Sequence, residues 1–339
     1  MSNFNNSAVV LSDGNLIFFY TDFYCDDGFL VIHNGVKYLL TDGRYIESAL
    51  NQANAKCYLQ SELSLLSLLK SLNVDSVGLV YGYSPIGLYK SLTDNGFSVF
   101  DYTNEYNLTA SIKSEEQLLR TKKACEIAET AFLKTLPIIK EGVTELEVAG
   151  ELELNFKKLG SKPAFETIVA FGKNSSVPHH QTGETKLESG MPVLMDFGCT
   201  YKGFCSDITR TMFYGKPSSR FLSVYDAVLN AHIKAFNEIQ SGMKASEADK
   251  VARDYLKTFN LSDYFAHSLG HGIGVKIHEY PTLNTKSNAI LKDGMVFSIE
   301  PGVYLQGEFG IRIEDTVTLC DGKVVSFMTT DKNPIILNG

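Results

Sequence analysis

Five side chains of metal-ligand type lie in apolar or glycine-rich surroundings within two segments of the chain, residues 195–210 and 267–315. They are Asp196, Asp207, His271, Glu300 and Glu314. Four carboxylates and one imidazole form an oxygen-rich ligand set that suits Mn, Co, Fe or Zn better than a thiolate-selective metal. Any one of the five could be an ordinary surface residue at a strand end. The five together, among Met, Ile, Val and Phe, predict one site for two metal ions about 3.5–4 Å apart.

The spacing of the carboxylates predicts that they meet in pairs. A hairpin that turns at residues 201–202 would place Asp196 directly opposite Asp207, roughly 5 Å apart at Cβ. A second hairpin, folded about Gly307, would do the same for the two glutamates. Like charges that face each other across a sheet are destabilising. Two such pairs are therefore expected only if cations lie between them.

Length and composition narrow the class of protein. A chain of 339 residues predicts two domains with a sizeable core. The net charge of −8 and the lack of a basic run argue against a nucleic-acid surface. No apolar run approaches membrane-spanning length, the first residues lack a signal-peptide pattern, and the six cysteines form no regular framework. We expect a soluble cytoplasmic protein without membrane or nucleic-acid partners.

The first third of the chain alternates strand and helix patterns. Residues 15–42 predict a hairpin that turns at Asn34–Gly35, a type I′ signal. Helical and apolar strand patterns then alternate in the segments 43–54, 61–72, 76–81, 84–95 and 97–102. This alternation predicts a compact α/β domain over residues 1–108. The polar, irregular segment 103–113 is the expected linker.

The rest of the chain, residues 109–339, predicts a mixed α+β domain. Ser114 with Gln117, and Thr144 with Glu147, have the spacing of capping boxes that begin two long helices. The remaining elements are a strand at 166–171, a hairpin at 192–213, helices near 218–240 and 246–258, and then strands joined by Gly-rich turns. The ligand residues therefore lie on sheet strands.

Hydrolysis at a two-metal site also needs donors for the developing oxyanion and a group that protonates the leaving nitrogen. The candidates are four histidines outside the ligand set: His179, His180, His267 and His278. Each alone is more often a hydrogen-bonded structural residue, but all four lie in site-like segments. Arg312, two residues before the last glutamate, should share its strand face and could pair with a ligand carboxylate.

Six motifs together resemble the metallopeptidases of the pita-bread fold, and most closely the Xaa-Pro aminopeptidases and Xaa-Pro dipeptidases (prolidases). The motifs are M-D-F-G at 195–198, S-D-I-T-R at 206–210, H-S-L-G-H-G-I-G at 267–274, I-H-E at 277–279, S-I-E-P-G at 298–302 and G-I-R-I-E-D at 310–315. Y-L-L-T-D-G-R-Y at 38–45 resembles a stretch of the same enzymes' N-terminal domain. The segment at 21–28 departs from the family's Gly-rich run. The resemblance implies a small creatinase-like α/β domain followed by a pita-bread catalytic domain.

The resemblance also implies a role for each matched residue. Asp207 and Glu314 would bridge two divalent ions, Mn in first place and Co, Zn or Fe otherwise. Asp196 would complete the shell of one ion, and His271 with Glu300 the shell of the other. The remaining matches are substrate-binding and proton-handling residues: His179, His278, His267, Glu300 as proton shuttle, and Arg312 beside the last ligand.

The function expected first is that of an Xaa-Pro aminopeptidase, which cleaves peptides with proline in the second position. The expected nucleophile is a hydroxide that bridges the two ions, and the resemblance implies a homodimer. The closest alternative is an Xaa-Pro dipeptidase. A methionine aminopeptidase would share the ligands, but the N-terminal domain and the arginine of I-R-I-E-D favour proline-directed enzymes. The intact ligand set argues against a creatinase-like hydrolase, which works without metals, and against a non-catalytic scaffold.

Overall fold

The computed structural model describes residues 6–338, and the chain divides into two compact units, Met1–Ala110 and Ser111–Gly339. The sequence places the boundary two residues earlier, after residue 108. Both units combine helices with sheets, in agreement with the α+β class predicted above. No helix within residues 6–338 is long and apolar enough to cross a membrane.

The first unit is built on one mixed sheet with the strand order β4-β3-β2-β1-β5-β6. Its strands are β1 (Ser7–Leu11), β2 (Gly28–His33), β3 (Val36–Thr41), β4 (Lys56–Leu59), β5 (Ser76–Leu79) and β6 (Ser98–Asp101). Its helices are α1 (Gly14–Thr21), α2 (Ile46–Gln52), α3 (Leu65–Ser71), α4 (Ile86–Asp94) and α5 (Thr103–Ser111). Asn34 and Gly35 turn the β2–β3 hairpin with φ of 48° and 76°, which confirms the type I′ prediction.

Two local predictions in this unit were wrong. The apolar run at 15–20 belongs to α1 and not to the predicted hairpin, because Asp13 caps the first turn of that helix. The expected linker at 103–113 is largely α5. The Asp101 carboxylate accepts hydrogen bonds from the backbone and hydroxyl of Thr103. Tyr106 and Ala110, four residues apart on one helix face, are buried in the core of the unit.

The second unit contains two main sheets and two helix pairs. Its helices are α6 (Glu115–Thr135), α7 (Glu145–Lys158), α8 (Ser219–Glu238) and α9 (Ala245–Lys257). Its first strands are β7 (Lys162–Pro163), β8 (Ile168–Phe171), β9 (Met191–Phe197), β10 (Cys199–Tyr201), β11 (Phe204–Cys205), β12 (Ile208–Tyr214) and β13 (Gly270–Gly272). The later strands are β14 (Glu279–Leu283), β15 (Val296–Ile299), β16 (Gly302–Leu305), β17 (Phe309–Arg312), β18 (Asp315–Cys320), β19 (Lys323–Ser326) and β20 (Ile335–Leu337).

Both predicted capping boxes are present. Ser114 and Gln117 cap α6 reciprocally, and Thr144 and Glu147 do the same for α7. In each case two backbone N–H groups that have no partner inside the helix are satisfied. The two long helices therefore begin where the sequence predicts.

Each main sheet of the second unit is covered by one helix pair. The sheet β20-β12-β9-β8 packs with α6 and α7 around one apolar core, and the sheet β14-β13-β15-β18-β19 packs with α8 and α9 around another. We refer to these as the α6/α7 half and the α8/α9 half. The halves meet where residues 207–211 run beside residues 312–316.

Hydrogen bonds cross this seam between the halves at successive positions. Thr316 Oγ1 accepts from the backbone N–H of Asp207 at 2.9 Å and donates to its carbonyl at 2.7 Å. The backbone N–H of Glu314 donates to the carbonyl of Thr209. The guanidinium of Arg210 donates to the carbonyls of Thr209 and Glu314. These bonds compensate its nearly complete burial. The seam is where the ligand residues are found.

Candidate metal centre

The five ligand candidates lie in or beside strands of both halves. Asp196 is in β9 and Asp207 immediately precedes β12, so both belong to the α6/α7 half. His271 is in β13, Glu300 follows β15, and Glu314 lies between β17 and β18, in the α8/α9 half. The site is thus assembled across the seam from residues as far apart in the chain as Asp196 and Glu314.

The aspartates do not face each other as predicted. The turn is at Lys202 and Gly203, whose φ values of 44° and 81° match a type I′ turn, and not at residues 201–202. The register shifts accordingly, so that Asp196 lies opposite Thr209, two residues beyond Asp207. Asp196 and Asp207 are diagonal neighbours on the same face of the sheet.

The glutamates meet as the sequence predicts. Ile299 pairs with Asp315 on one side of them and Gly302 with Arg312 on the other, in one continuous register. Glu300 and Glu314 therefore occupy opposite positions between these two ladders. The hairpin that joins them turns about Gly307, which has a φ of 77°.

Ligand atoms from both halves approach closely. Asp207, His271 and Glu314 each offer an atom within 4.8 Å of the others. His271 Nε2 lies 3.4 Å from Asp207 Oδ2 and 3.5 Å from Glu300 Oε1. Asp207, His271 and Glu314 thus form one cluster, Glu300 adjoins it through His271, and Asp196 lies outside that three-residue group.

The electrostatics of the cluster show why it needs cations. Burial, followed by the charges of Asp196 and Glu300, raises the pKa of Asp207 well above its usual value. Burial and the charge of Asp207 do the same for Glu314. Asp196 Oδ1 is buried without a hydrogen-bond partner among residues 6–338. A buried set of mutually repelling carboxylates with an unpaired oxygen fits hard divalent cations.

Neighbouring hydroxyls orient two of the ligands. Thr209 Oγ1 donates to Glu314 Oε2 at 2.6 Å. Ser298 Oγ donates to Glu300 Oε1 at 3.2 Å and accepts from the backbone N–H of His271. Thr209 and Ser298 each lie two residues from a ligand on the same strand face. That spacing was the signal by which the sequence could have identified them.

The tautomer of His271 follows from its backbone contact. Its Nδ1 lies 3.1 Å from the carbonyl oxygen of Gly272. A hydrogen on Nδ1 makes this a hydrogen bond and leaves the lone pair on Nε2, which is the atom that points at the carboxylates. The imidazole is therefore oriented to bind a metal through Nε2.

Arg312 links a ligand to a second buried network. Its Nη2 donates to Asp196 Oδ2 at 2.6 Å, its Nε to Thr209 Oγ1 at 2.9 Å and its Nη1 to the Tyr304 hydroxyl at 2.6 Å. The Tyr304 hydroxyl also lies 2.8 Å from His267 Nε2. Burial lowers the pKa of His267 to about 3, so its ring is neutral and can accept from Tyr304. The sequence gives no local signal for Tyr304, because its place depends on the β16–β17 register.

The other histidines surround this cluster. The rings of His278 and His271 have centroids 4.2 Å apart, and burial followed by the charge of His271 lowers the pKa of His278 to about 4. His179 is exposed and acts electrostatically on both His267 and His278. His180 instead bonds to Glu145, with Nε2 and Oε2 2.9 Å apart. Of the two adjacent histidines, only His179 acts electrostatically on histidines beside the cluster.

Comparisons with known proteins show that the chain is similar to metallopeptidases. Residues 120–320 match the model of metallopeptidase family M24. A Xaa-Pro dipeptidase of Pyrococcus horikoshii is 38% identical over 252 residues, which are 74% of this chain and 71% of that protein. Among solved structures, a Xaa-Pro dipeptidase from Bacillus anthracis has a TM-score of 0.92 at 33% identity, covering 97% of this chain and 95% of that one. An X-Pro aminopeptidase from Thermotoga maritima has a TM-score of 0.90 at 29% identity, covering 98% of both chains.

These matches confirm the predicted pita-bread fold, with an N-terminal domain before the catalytic domain. They also agree with a hydrolase whose site holds metal. The chain belongs to metallopeptidase family M24.

Proposed function

We propose that this metallopeptidase is an Xaa-Pro dipeptidase, which hydrolyses the bond between an N-terminal residue and a proline. The observation that carries a hydrolase is the buried cluster of one imidazole and several carboxylates across the seam. The preference for dipeptides is supported by the likeness to Xaa-Pro dipeptidases at 33–38% identity. That likeness favours a prolidase over the aminopeptidase that the sequence ranks first.

We propose that all five ligand candidates would hold a pair of divalent ions, and that Asp207 and Glu314 would serve both ions. Asp196 would serve one ion, and His271 and Glu300 the other. When bound, such ions polarise the scissile carbonyl and lower the pKa of water enough to supply a nucleophile near neutral pH. Mn remains the proposed metal, with Co, Zn and Fe as the other candidates.

Proton transfer in this proposal falls to Glu300. The nitrogen of the X–Pro bond carries no hydrogen, so it must gain a proton as it leaves. The carboxylate of Glu300 lies 3.5 Å from His271 Nε2 and 3.8 Å from His267 Nδ1, at the inner end of the site. Ser298 binds one of its oxygens, which leaves the other to carry the proton.

The surrounding histidines would bind and orient the peptide. The His278 ring lies beside that of His271 and the residue is partly exposed, so it could donate to the carbonyl oxygen as negative charge develops. His179 would contact the substrate from the loop after β8. His267 and Arg312 would hold Tyr304 and Asp196 in place and so keep the site in one geometry.

The test compares an X-Pro dipeptide with an X-Pro-Y tripeptide, each with added Mn, Co or Zn and with a chelated control. We expect metal-dependent cleavage of the dipeptide and at least tenfold slower cleavage of the tripeptide. Efficient cleavage of the tripeptide between X and Pro would make the chain an Xaa-Pro aminopeptidase, the function of the similar Thermotoga maritima structure. If neither peptide is cleaved by protein that holds two metals per chain, both proline-directed functions are refuted.

A cytoplasmic location and a homodimeric state remain part of the proposal. Cell fractionation and light scattering test them directly. A monomer in solution at micromolar concentration would refute the second.

A further inference from the structure

Glu145 is a completely buried carboxylate outside the ligand set. It is the first residue of α7, and its side chain is 0% exposed. Oε1 accepts from the backbone N–H of Phe171 and from Asn174 Nδ2, both at 2.8 Å. Oε2 accepts from the backbone N–H of Gly183 at 3.0 Å and contacts His180 Nε2 at 2.9 Å. All four partners belong to the segment 171–183.

The burial of Glu145 is not explained by helix capping. The capping box of α7 is completed by Glu147, which is exposed and accepts from Thr144. A buried carboxylate is strongly destabilising unless donors compensate it. The donors here come from a segment 26 to 38 residues further along the chain. The carboxylate therefore holds that segment in place.

The segment that Glu145 holds carries His179. It contains one 3-10 turn, Gly172–Ser176, and no strand after β8 up to residue 183. Its other anchors include Ser175 and Ser176, which accept from backbone N–H groups of the β16–β17 hairpin at 2.9 and 3.2 Å. These anchors precede His179, and Thr182, which follows it, binds the backbone of Thr167 and Val169. Glu145 binds partners on both sides of His179 at once, so the position of His179 depends on it.

We propose that Glu145 is a positioning residue of the peptidase, which fixes the 171–183 segment and so places His179 against the substrate. This inference deepens the proposed function and rests on it for the role of His179. It assigns no chemistry to Glu145 itself, because both oxygens of the carboxylate already have two hydrogen-bond partners each.

An isosteric amide cannot replace this carboxylate. Each of its oxygens accepts from one backbone N–H, that of Phe171 or that of Gly183. Asn174 can rotate its amide and His180 can change its tautomer, but a backbone N–H cannot become an acceptor. In Glu145→Gln the side-chain NH₂ must therefore face one backbone N–H in either orientation. The substitution keeps the side-chain volume but breaks the clamp, by which we mean the four bonds between Glu145 and residues 171–183.

The experiment uses the full-length, metal-loaded protein and the variants Glu145→Gln, Glu147→Gln, His179→Ala and Glu145→Gln with His179→Ala. We expect Glu145→Gln to lower kcat/KM for the dipeptide at least tenfold while metal content stays at two per chain. Glu147→Gln, the same change in the same helical turn, should alter kcat/KM less than twofold. Glu145→Gln should add less than a further twofold loss in the His179→Ala background, because both changes remove one function. If the double variant loses the product of the two single fold losses in kcat/KM, Glu145 does not act through His179.

Hydrogen–deuterium exchange separates this inference from the proposed function. Amide exchange in residues 171–183 should become at least tenfold faster in Glu145→Gln and stay unchanged in Glu147→Gln. Unchanged exchange in Glu145→Gln would overturn the inference whatever the substrate. If wild-type protein cleaves neither peptide yet exchange accelerates as expected, the proposed function fails and the clamp stands. Asn174→Ala, which removes one of the four bonds, should give a smaller change in the same direction and serves if Glu145→Gln does not fold.

Discussion

His232 provides a test of how this structure depends on pH. It lies on α8 with 1% of its surface exposed, and within residues 6–338 neither ring nitrogen has a hydrogen-bond partner. Burial lowers its pKa to about 4. The charge of Asp315 opposes this lowering of the pKa, whereas the charges of Lys332 and Arg210 add to it. Replacing His232 with Leu removes the titrating group and two unpaired polar atoms together.

The magnitude follows from proton linkage. The unfolded chain takes up a proton at its ordinary pKa of 6.5, whereas the folded protein does so at about 4. The contribution of His232 to stability is therefore fully present above pH 6.5 and is lost as the pH falls towards 4. The whole effect is about 3 kcal/mol, since one pKa unit corresponds to about 1.4 kcal/mol. At pH 5 the loss is about 2 kcal/mol.

The assay is urea unfolding of wild-type and His232→Leu protein at pH 7.5 and pH 5. All other titrating groups are shared, so the difference between the two pH losses isolates His232. We expect the free energy of unfolding to fall by about 2 kcal/mol more in the wild type than in the variant. We also expect a change within about 1 kcal/mol at pH 7.5, because an unpaired polar group is exchanged for an apolar one. Equal pH losses in the two proteins would refute the buried, neutral state of His232.

Three further predictions concern the metal centre. In chelated protein the pKa values of Asp207 and Glu314 lie well above their usual range, chiefly because of burial, so their contribution to stability is present below about pH 4 and is lost as the pH rises. Asp207→Asn removes one of these carboxyls and keeps every other titrating group, so in differential scanning calorimetry of chelated protein its Tm should gain on that of wild type from pH 5 to pH 8; a Tm difference that does not grow with pH would contradict this. Arg312→Lys should lower kcat/KM at least tenfold, because an ammonium cannot reproduce the fork of donors; the matched change Arg220→Lys, on an exposed ion pair, should alter it less than twofold. In Gly270→Ala the new Cβ would lie 1.9 Å from the backbone carbonyl oxygen of Ser298. We therefore expect urea unfolding to show a loss of at least about 2 kcal/mol in stability, and metal content to fall. A variant with unchanged stability would show that these strands are not so closely packed.

Local signals in the sequence predicted local structure correctly. The capping boxes at Ser114 and Thr144 depend on residues three apart, and both are present. The turn about Gly307 depends on one glycine and brings the glutamates together as expected. One local prediction failed: the turn after β10 lies one residue later than predicted. Lys202 adopts a positive φ there, and a lysine gives no signal for that conformation. One residue in a turn moved the pairing of Asp196 by two positions.

Long-range contacts were beyond the reach of the sequence patterns. The sequence contains no signal for Glu145, since its partners lie far along the chain. Tyr304 joins the network of Arg312 only after two strands pair. The segment 103–113 looked irregular because it has few apolar residues, but two of them at helical spacing suffice once a core is there to receive them.

The position of the proposed metal centre on the seam would make metal content a measure of correct folding. The aspartates come from the α6/α7 half and the other three ligands from the α8/α9 half, so neither half alone can offer the complete set. Contacts between ligand candidates of the two halves join residues that are 64 or more positions apart, counted from Asp207 to His271, so they form only when long loops have closed. A chain in which either half is misfolded should therefore be poor in metal, and it should not acquire activity when more metal is added. Metal stoichiometry would then report the fraction of native molecules in a preparation.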